Sequence, residues 1–551
     1  LKLFKNITFG TKWNYALGAS VYNQSFYNVS GLGDNLKKRN DQLQALANTA
    51  VGTAEYNQIA EELAHSARYR ANYIEKADFL RLSTLYLGYD LSSLSRKLTK
   101  NVVNGMRFSF AIQNVFVLTN YMTMKKSIYT LLALALLLTS CDSWVENAGT
   151  PNNTLTKEQL NKSAMIAIVQ TNTISDGPLT AYVKTLQGDA ASAAFLALGT
   201  TVDELTEGTI PNALLYRQIA TDNLPPTSGT QSDLWNKIHN YYARSVELSE
   251  IAGQITGANA EQTEIIKAYG KYVGHLHAGY ALQLLAESFS TTPAAEGGSV
   301  ILNKTVVSHE AMLNQAKEQY EAAMKEVQSD ALKNYRGVDN EAASRQIKTY
   351  ELKLAMHLGQ YAEAKTLIGG ALKDSESVEV IYNNDGADNP LYSAIGPNSR
   401  DVQVSPSLEA ARITDAEKKA LPLAHASVDK KNPNRYNIYA SALTRKGALT
   451  ISDENDIHLV KAELIVRGVM TGDALTEVNK VIGKYDIASQ LSTVPTLPQI
   501  AALRRIFLTF RGERTADIRR GLEQGTAATT WSNRKIKWLP MPEKELQSQG
   551  L

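Results

Sequence analysis

Two periodicities divide the chain. From Ile7 the odd positions include Ile7, Phe9, Trp13, Tyr15, Leu17 and Val21, and the even positions between them are mostly small or polar, among them Thr8, Gly10, Lys12 and Asn14. A period of two over this length predicts a strand with one apolar and one wet face. Phe108, Phe110 and Ile112, opposed by Arg107, Ser109 and Gln113, repeat the pattern. Strands of about ten residues, rich in aromatics, suit a transmembrane β-barrel; a soluble antiparallel sheet is equally compatible, because barrel signals are weak per strand. The polar, partly helical stretch from Leu36 to Ala67 reads as a long extracellular loop between such strands.

Near residue 122 the pattern changes. Met122 or Met124 is followed by Lys125 and Lys126, then by an almost continuous apolar run, Ile128 to Leu138, closing with Leu138-Thr139-Ser140-Cys141. A basic start, about eleven apolar residues and small residues before a cleavage point define a secretory signal peptide, over 122–140. The run is too short for a stable membrane-spanning helix, which needs about 18 to 20 apolar residues. Such a segment works at an N-terminus, yet here it is internal and the chain opens on Leu1. The expectation is that two neighbouring reading frames are joined, the second starting at Met122 or Met124.

From Thr156 onward a 3.6-residue period dominates. Trp235, Ile238, Tyr241, Tyr242 and Val246 form one apolar stripe; Ile265, Tyr269, Tyr272, Val273, Leu276, Tyr280 and Leu284 form another, and both read as core. Gly274, Ala278 and Gly279 on the second stripe's helix predict close approach by a neighbour. Ile347, Tyr350, Leu354 and Leu358 run into Gly359, which supplies a left-handed helix end before Tyr361 and Ala364 begin the next helix. This is tetratricopeptide-like logic, and Asp456 to Ile482 repeats it more loosely around Gly468 and Gly472.

Between about Ser375 and Ser452 the period fades into Asn, Asp, Gly, Pro and Ser, with Tyr382, Tyr392, Tyr436 and Tyr439 scattered through. Loops on a rigid scaffold are where binding surfaces sit, and aromatic faces among polar groups suit sugars or peptides. These four tyrosines are the candidate ligand contacts, with loop anchoring as their alternative role.

Composition narrows the chemistry. The 551 residues are 44% hydrophobic and 20% charged, with net charge +2 and a single cysteine. That length predicts more than one core. One thiol excludes an internal disulfide framework and cysteine-based zinc or iron–sulfur sites, and near-neutral charge gives no bulk case for nucleic acid. His275 and His277, two apart, point in different directions on a helix and do not share a metal. Asn383 to Asp388 has calcium-loop flavour without the spaced ligands and closing glutamate, so a plain turn is favoured and no metal or cofactor is expected. Arg504, Arg505, Arg511, Arg514, Arg519 and Arg520, interspersed with Glu513 and Asp517 at helix spacing, read as an ion-paired helix face. No G-x-S-x-G, P-loop or H-E-x-x-H motif marks an active site.

Phe79-Leu80-Arg81-Leu82, Leu87-Gly88-Tyr89 and Gln113 to Tyr121 resemble the closing region of SusC-type TonB-dependent transporters, over 1–121. SusC-type chains continue past this point into further strands, where this one has Met122. From Met124 to Leu551 the chain resembles SusD/RagB-type lipoproteins. The resemblance lies in the order of Cys141, Thr201-Val202-Asp203-Glu204, Leu234-Trp235, Ala268 to Phe289, Gly359-x-Tyr361 and Asp388-Asn389-Pro390-Leu391-Tyr392. Glu454-Asn455-Asp456 to Glu463, Arg511-Gly512-Glu513-Arg514 to Arg520 and Leu539-Pro540-Met541-Pro542-Glu543 complete it. Thr515 stands where the family usually has an aromatic.

The resemblance implies a mainly α fold, with tetratricopeptide-like helix pairs and a loop-rich ligand-binding region over 141–551, preceded by barrel strands. It further implies a non-enzymatic lipoprotein acylated at Cys141, facing outward from the outer membrane. Such a protein captures oligosaccharides, or in RagB-like members peptides, and delivers them to a SusC-type partner. A glycan hydrolase, and a piece of the transporter itself, are the rival readings.

Overall fold

The computed structural model describes residues 2–3, 7–18, 20–22, 45, 48–50, 53–55, 57–59, 74–76, 78–91 and 107–119, then 162–548 apart from 209–213, 257–258, 296, 304, 383–387, 398–401 and 430–431. The signal-peptide segment 122–140, Cys141 and most of the Asn383–Asp388 turn lie outside the described residues. Two compact units, Leu1–Pro151 and Asn152–Leu551, make up the chain.

In the first unit, β1 (Lys2–Leu3), β2 (Ile7–Ala16), β3 (Phe79–Asp90) and β4 (Arg107–Thr119) form an antiparallel sheet in sequence order. The period of two is realised in the register. Ile7 lies opposite Tyr89, Phe9 opposite Leu87, Trp13 opposite Leu82 and Tyr15 opposite Leu80, so apolar residues face each other across the ladder. A bulge between Lys12 and Trp13 keeps that face in phase. Trp13, Tyr15, Leu80, Leu87 and Tyr89 are all exposed on it.

The second unit is mainly helical. Its principal helices are α1 (Pro178–Thr201), α2 (Gly229–Gln254), α3 (Ala260–Ser288), α4 (His309–Val327), α5 (Asn340–His357), α6 (Tyr361–Ile368), α7 (Glu454–Val466), α8 (Ala474–Tyr485), α9 (Leu497–Phe507) and α10 (Glu513–Arg519). Side chains cap most starts: Asn259 accepts from Gln262 N, Ser308 from Ala311 N, Asp339 from Ala342 N and Asp453 from Asn455 N. Thr496 and Gln499 form a reciprocal capping box on α9.

Helix α3 is the buried centre, packed between α1, α2 and α4. Its two glycines work on opposite neighbours. A Cβ at Gly274 would stand 2.8 Å from Ser245 O and Ser249 Cβ on α2, and one at Gly279 would stand 2.6 Å from the Tyr320 ring on α4. Any side chain at either position would push a helix away. The predicted turns also appear: Gly359 (φ +68°) links α5 to α6, and Gly468 (φ +72°) ends α7 before α8. The Arg467 guanidinium lies 4.3 Å from the centroid of the Tyr361 ring, tying one helix pair to the other.

The stretch 375–452 is more ordered than its composition suggests. It contains β5 (Ser377–Val380), short helices at Pro390–Ile395, Pro406–Ala411 and Asp415–Ala420, the hairpin β6 (Leu423–Asp429) and β7 (Asn432–Ala440), and β8 (Leu449–Asp453). Strands β5 and β8 pair antiparallel and close the stretch at its base. Val402–Val404 pairs with Leu205–Glu207. Among the described residues no helix is long and apolar enough to cross a membrane.

The arginine-rich segment is ion-paired as expected, but it is core and not a helix face. Arg504 is 2% exposed. Its Nε donates to Asp517 (2.7 Å), and its two terminal nitrogens donate to Asp456 (3.1 Å) and Glu513 (3.2 Å). Lys353 of α5 bonds Glu513 at 2.5 Å and the Ile451 carbonyl at 2.9 Å. His357 bridges Glu287 and Glu513, each at 3.2 Å. Arg519 bonds Glu287 and stacks 3.3 Å over the Trp538 ring, while Arg520 joins Asp517 to Glu463. Arg511 grips Asp453 with two bonds of 2.7 and 2.8 Å. Thr515, in the midst of this, is 1% exposed and its hydroxyl has no partner.

Burial alone would strip the proton from His357, but the carboxylates of Glu513 and Glu287 outweigh it and hold its pKa up at about 9. The folded value exceeds the unfolded one, so this stabilisation is complete below pH 6.5 and is lost as pH rises through about 9. It amounts to something of the order of 3 kcal/mol. In urea unfolding across this window, His357→Gln should be less stable than wild type at pH 6.5 and should lack that part of the wild-type alkaline decline. A variant with the wild-type slope would show that His357 is not the group responsible.

Candidate functional site

The helical unit holds a cavity of about 880 Å³. It is lined by α1, α3, the start of α5 and residues 376–382 in and around β5. Helix α3 contributes Tyr269 and Tyr272, whose rings are edge-on with centroids 6.2 Å apart. They belong to the apolar stripe read as core, and they are largely buried, but the cavity runs along them.

Polar groups are fixed around these rings. Asp176 accepts from the Tyr269 hydroxyl (2.7 Å) and from Lys184 Nζ (2.8 and 3.0 Å), and Lys184 also reaches the Tyr269 oxygen at 3.2 Å. Burial first, then the Asp176 charge, pushes the Tyr269 phenol upward and keeps it a donor. On the far wall Glu376 is gripped by Arg345 through bonds of 2.6 to 3.0 Å. Those hydrogen bonds hold the Glu376 carboxyl below its usual range. His277, buried and bonded to the Tyr241 hydroxyl at 2.7 Å, is driven down to about 3 by burial and by Lys184, and is neutral. Its neighbour in sequence, His275, bonds Gln319 instead at 2.8 Å, so the two histidines share nothing.

Of the four candidate tyrosines, Tyr382 lines this cavity. It is 5% exposed, not an open loop residue, and its hydroxyl has no partner. Burial, then the charge of Asp189, pushes that phenol upward. The ring fits because position 188 on α1 is glycine: a Cβ there would stand 2.2 Å from the Tyr382 oxygen. Tyr392 is half-buried on the short helix capped by Asn389 and begun by Pro390, and Tyr439 is half-buried on β7 opposite Ala424. Neither lines the cavity. Tyr436 pairs through its backbone with Val428; its side chain lies outside the described residues. Asp176 and Lys184 carried no sequence signal, since their partner Tyr269 is 93 and 85 residues away.

What the arrangement offers is recognition: flat rings for apolar faces, and a carboxylate and an ammonium for hydroxyls. Neither anchored carboxylate suits proton donation to a glycosidic oxygen. Asp176 is occupied by Lys184 and Tyr269, and Glu376 is held ionised by Arg345.

The fold of the helical unit is that of SusD-like proteins. A SusD superfamily protein from Bacteroides vulgatus superposes with a TM-score of 0.51 at 15% identity, over 68% of this chain and 96% of that one. A laminarin-binding SusD-like protein superposes with a TM-score of 0.51 at 18% identity, over 67% of this chain and 96% of that one. No family model and no curated relative matches the sequence.

Because Gly188 makes room for the Tyr382 phenol, Gly188→Ala should displace that ring and cost about 1–3 kcal/mol of stability. Thermal unfolding of Gly188→Ala beside the double variant Gly188→Ala/Tyr382→Phe checks this; the second change should recover part of the loss. Equal losses in both would show that the phenol oxygen is not what the glycine accommodates.

Proposed function

We propose that the chain is a cell-surface binding lipoprotein that captures oligosaccharides and delivers them to a SusC-type TonB-dependent transporter, without catalysing a reaction on them. The observation that carries this reading is the cavity of Tyr269, Tyr272 and Tyr382 with fixed polar groups, set in a SusD-like fold. A neighbour with that fold binds laminarin, which supports a glucan-like ligand. The way Asp176 and Glu376 are held supports binding without turnover.

In this reading residues 122–140 are removed as a signal peptide and Cys141 carries the lipid that holds the protein on the outer membrane. Two or more acyl chains give stable anchoring where one is marginal. Residues 1–121 correspond to the closing strands of the transporter. The exposed apolar face built by Trp13, Tyr15, Leu80, Leu87 and Tyr89 is the surface such strands turn to lipid. Tyr392, Tyr436 and Tyr439 would then form a second, outer contact set on the 375–452 stretch.

Titration calorimetry with laminarin oligosaccharides should show binding that weakens about tenfold or more, a loss of at least about 1.4 kcal/mol, in Tyr269→Ala and in Tyr382→Ala. Chromatography of the same mixtures should show no products. Unchanged affinity in both variants, with loss on changing Tyr392 and Tyr439, would move the site outward; new products would replace binding with hydrolysis. In cells, Cys141→Ala should abolish palmitate labelling and release the protein from the membrane. A Cys141→Ala protein that still labels and stays bound would refute the anchor.

A further inference from the structure

We propose that Glu454, His458 and Asp374 form a site for a divalent metal ion, with zinc the cation that this donor set fits best. The site lies outside the cavity and does not depend on what the cavity binds. Glu454 opens α7 and His458 follows at i+4, so the two share a face of the helix. Asp374 reaches them from the turn between α6 and β5. One donor atom from each of the three lies within 4.8 Å of the others.

His458 supplies the deciding geometry. The ring is 4% exposed and a carboxylate stands on each nitrogen: Glu477 Oε2 is 2.6 Å from Nδ1, and Asp374 Oδ1 is 3.2 Å from Nε2. A neutral imidazole has one N–H. Given to Glu477, it leaves the Nε2 lone pair facing a carboxylate at hydrogen-bond distance, an arrangement that only a cation between the two makes favourable. A zinc ion about 2.0–2.1 Å from each of two tetrahedral ligands separates them by about 3.3–3.4 Å, close to the spacing already present. Glu477 occupies the place of the outer carboxylate that orients metal-bound histidines and fixes their tautomer. One nitrogen and two carboxylate oxygens suit zinc better than an all-oxygen cation.

The competing cation is also visible. Lys484 Nζ sits 2.5 Å from Glu454 Oε1, and Glu454 Oε2 accepts from Ser375 N at 2.7 Å. Lys480 lies 3.4 Å from the outer oxygen of Glu477. Metal binding would therefore draw Glu454 away from Lys484 while Ser375, at φ +69°, stays bound. It would clamp the turn of residues 373–376 to α7, and that turn leads directly into β5, which runs on to Tyr382.

The test is zinc titration of the full chain by calorimetry and by competition with a chromogenic chelator, with circular dichroism to confirm folding. Wild type should bind one zinc ion that Asp374→Ala, a change at an exposed position, weakens about tenfold or more. Glu477→Gln, which keeps the shape and removes the outer charge, should weaken it by about 10–100-fold. Lys484→Met should tighten it, an effect that general loss of structure would not produce. No stoichiometric zinc on wild type, or wild-type affinity in a folded Asp374→Ala, would overturn the proposal and leave a proton as the cation between Nε2 and Asp374.

Discussion

The helical unit depends on a buried lattice of charges. Taking Arg504 out of water is costly unless its donors are met, and Asp456, Glu513 and Asp517 meet them from α7 and α10. Those carboxylates then need further cations, which α5 supplies through Lys353 and His357 and the end of α10 through Arg520. Arg519 extends the lattice to Glu287 at the end of α3, 232 residues away. Each member is tolerable only while the others are in place, so the C-terminal segment is a structural keystone for helices formed much earlier in the chain. Oily residues could fill the same volume; they could not demand this one arrangement of α3, α5, α7, α9 and α10 so strictly.

The cavity has a different logic. Helix α3 presents Tyr280 to the packed interior and Tyr269 and Tyr272 to the cavity, all from one apolar stripe. A tyrosine satisfies both demands because its ring counts as core while its oxygen can be wet or bonded. Rigidity comes from α3, held tightly by its glycine contacts with α2 and α4, so the rings present a preformed surface whose ordering cost is met on folding.

Much of the fold was legible in the sequence. The period of two gave the register face of β2 and β3, and the glycines at 274, 279, 359 and 468 each act where the pattern placed them. The reading failed where local pattern carries no information. Strands of three to five residues, such as Ser377–Val380 and Val402–Val404, are too short to show a period and owe their form to partners far along the chain. The arginines read as an ion-paired helix face because helix spacing reveals only nearby partners such as Glu513 and Asp517; the further partners Asp456, Glu287 and Glu463, which make the cluster core, lie on other helices. Tyr382 was read as an open-loop residue, whereas it is buried as a cavity wall; Gly188, which makes room for it, is nearly two hundred positions earlier. Asp176 and Lys184 had no signature at all.

The pairing of β5 with β8 has an evolutionary side. It brings the two ends of the 375–452 stretch together as adjacent strands, with register fixed from Ser377–Asp453 to Val380–Leu449. Parts of the segment between its docking points can be lengthened or shortened while the paired ends stay unchanged, and the entropic cost of extra length grows only slowly. Within the stretch, Val402–Val404 is docked on Leu205–Glu207, and Ser407 and Lys419 bond Arg505 and Asp486, so these points would have to keep their partners. Loops between these fixed points can therefore change length and surface while the paired ends, one of which bonds Lys353 and Asp456, keep their place.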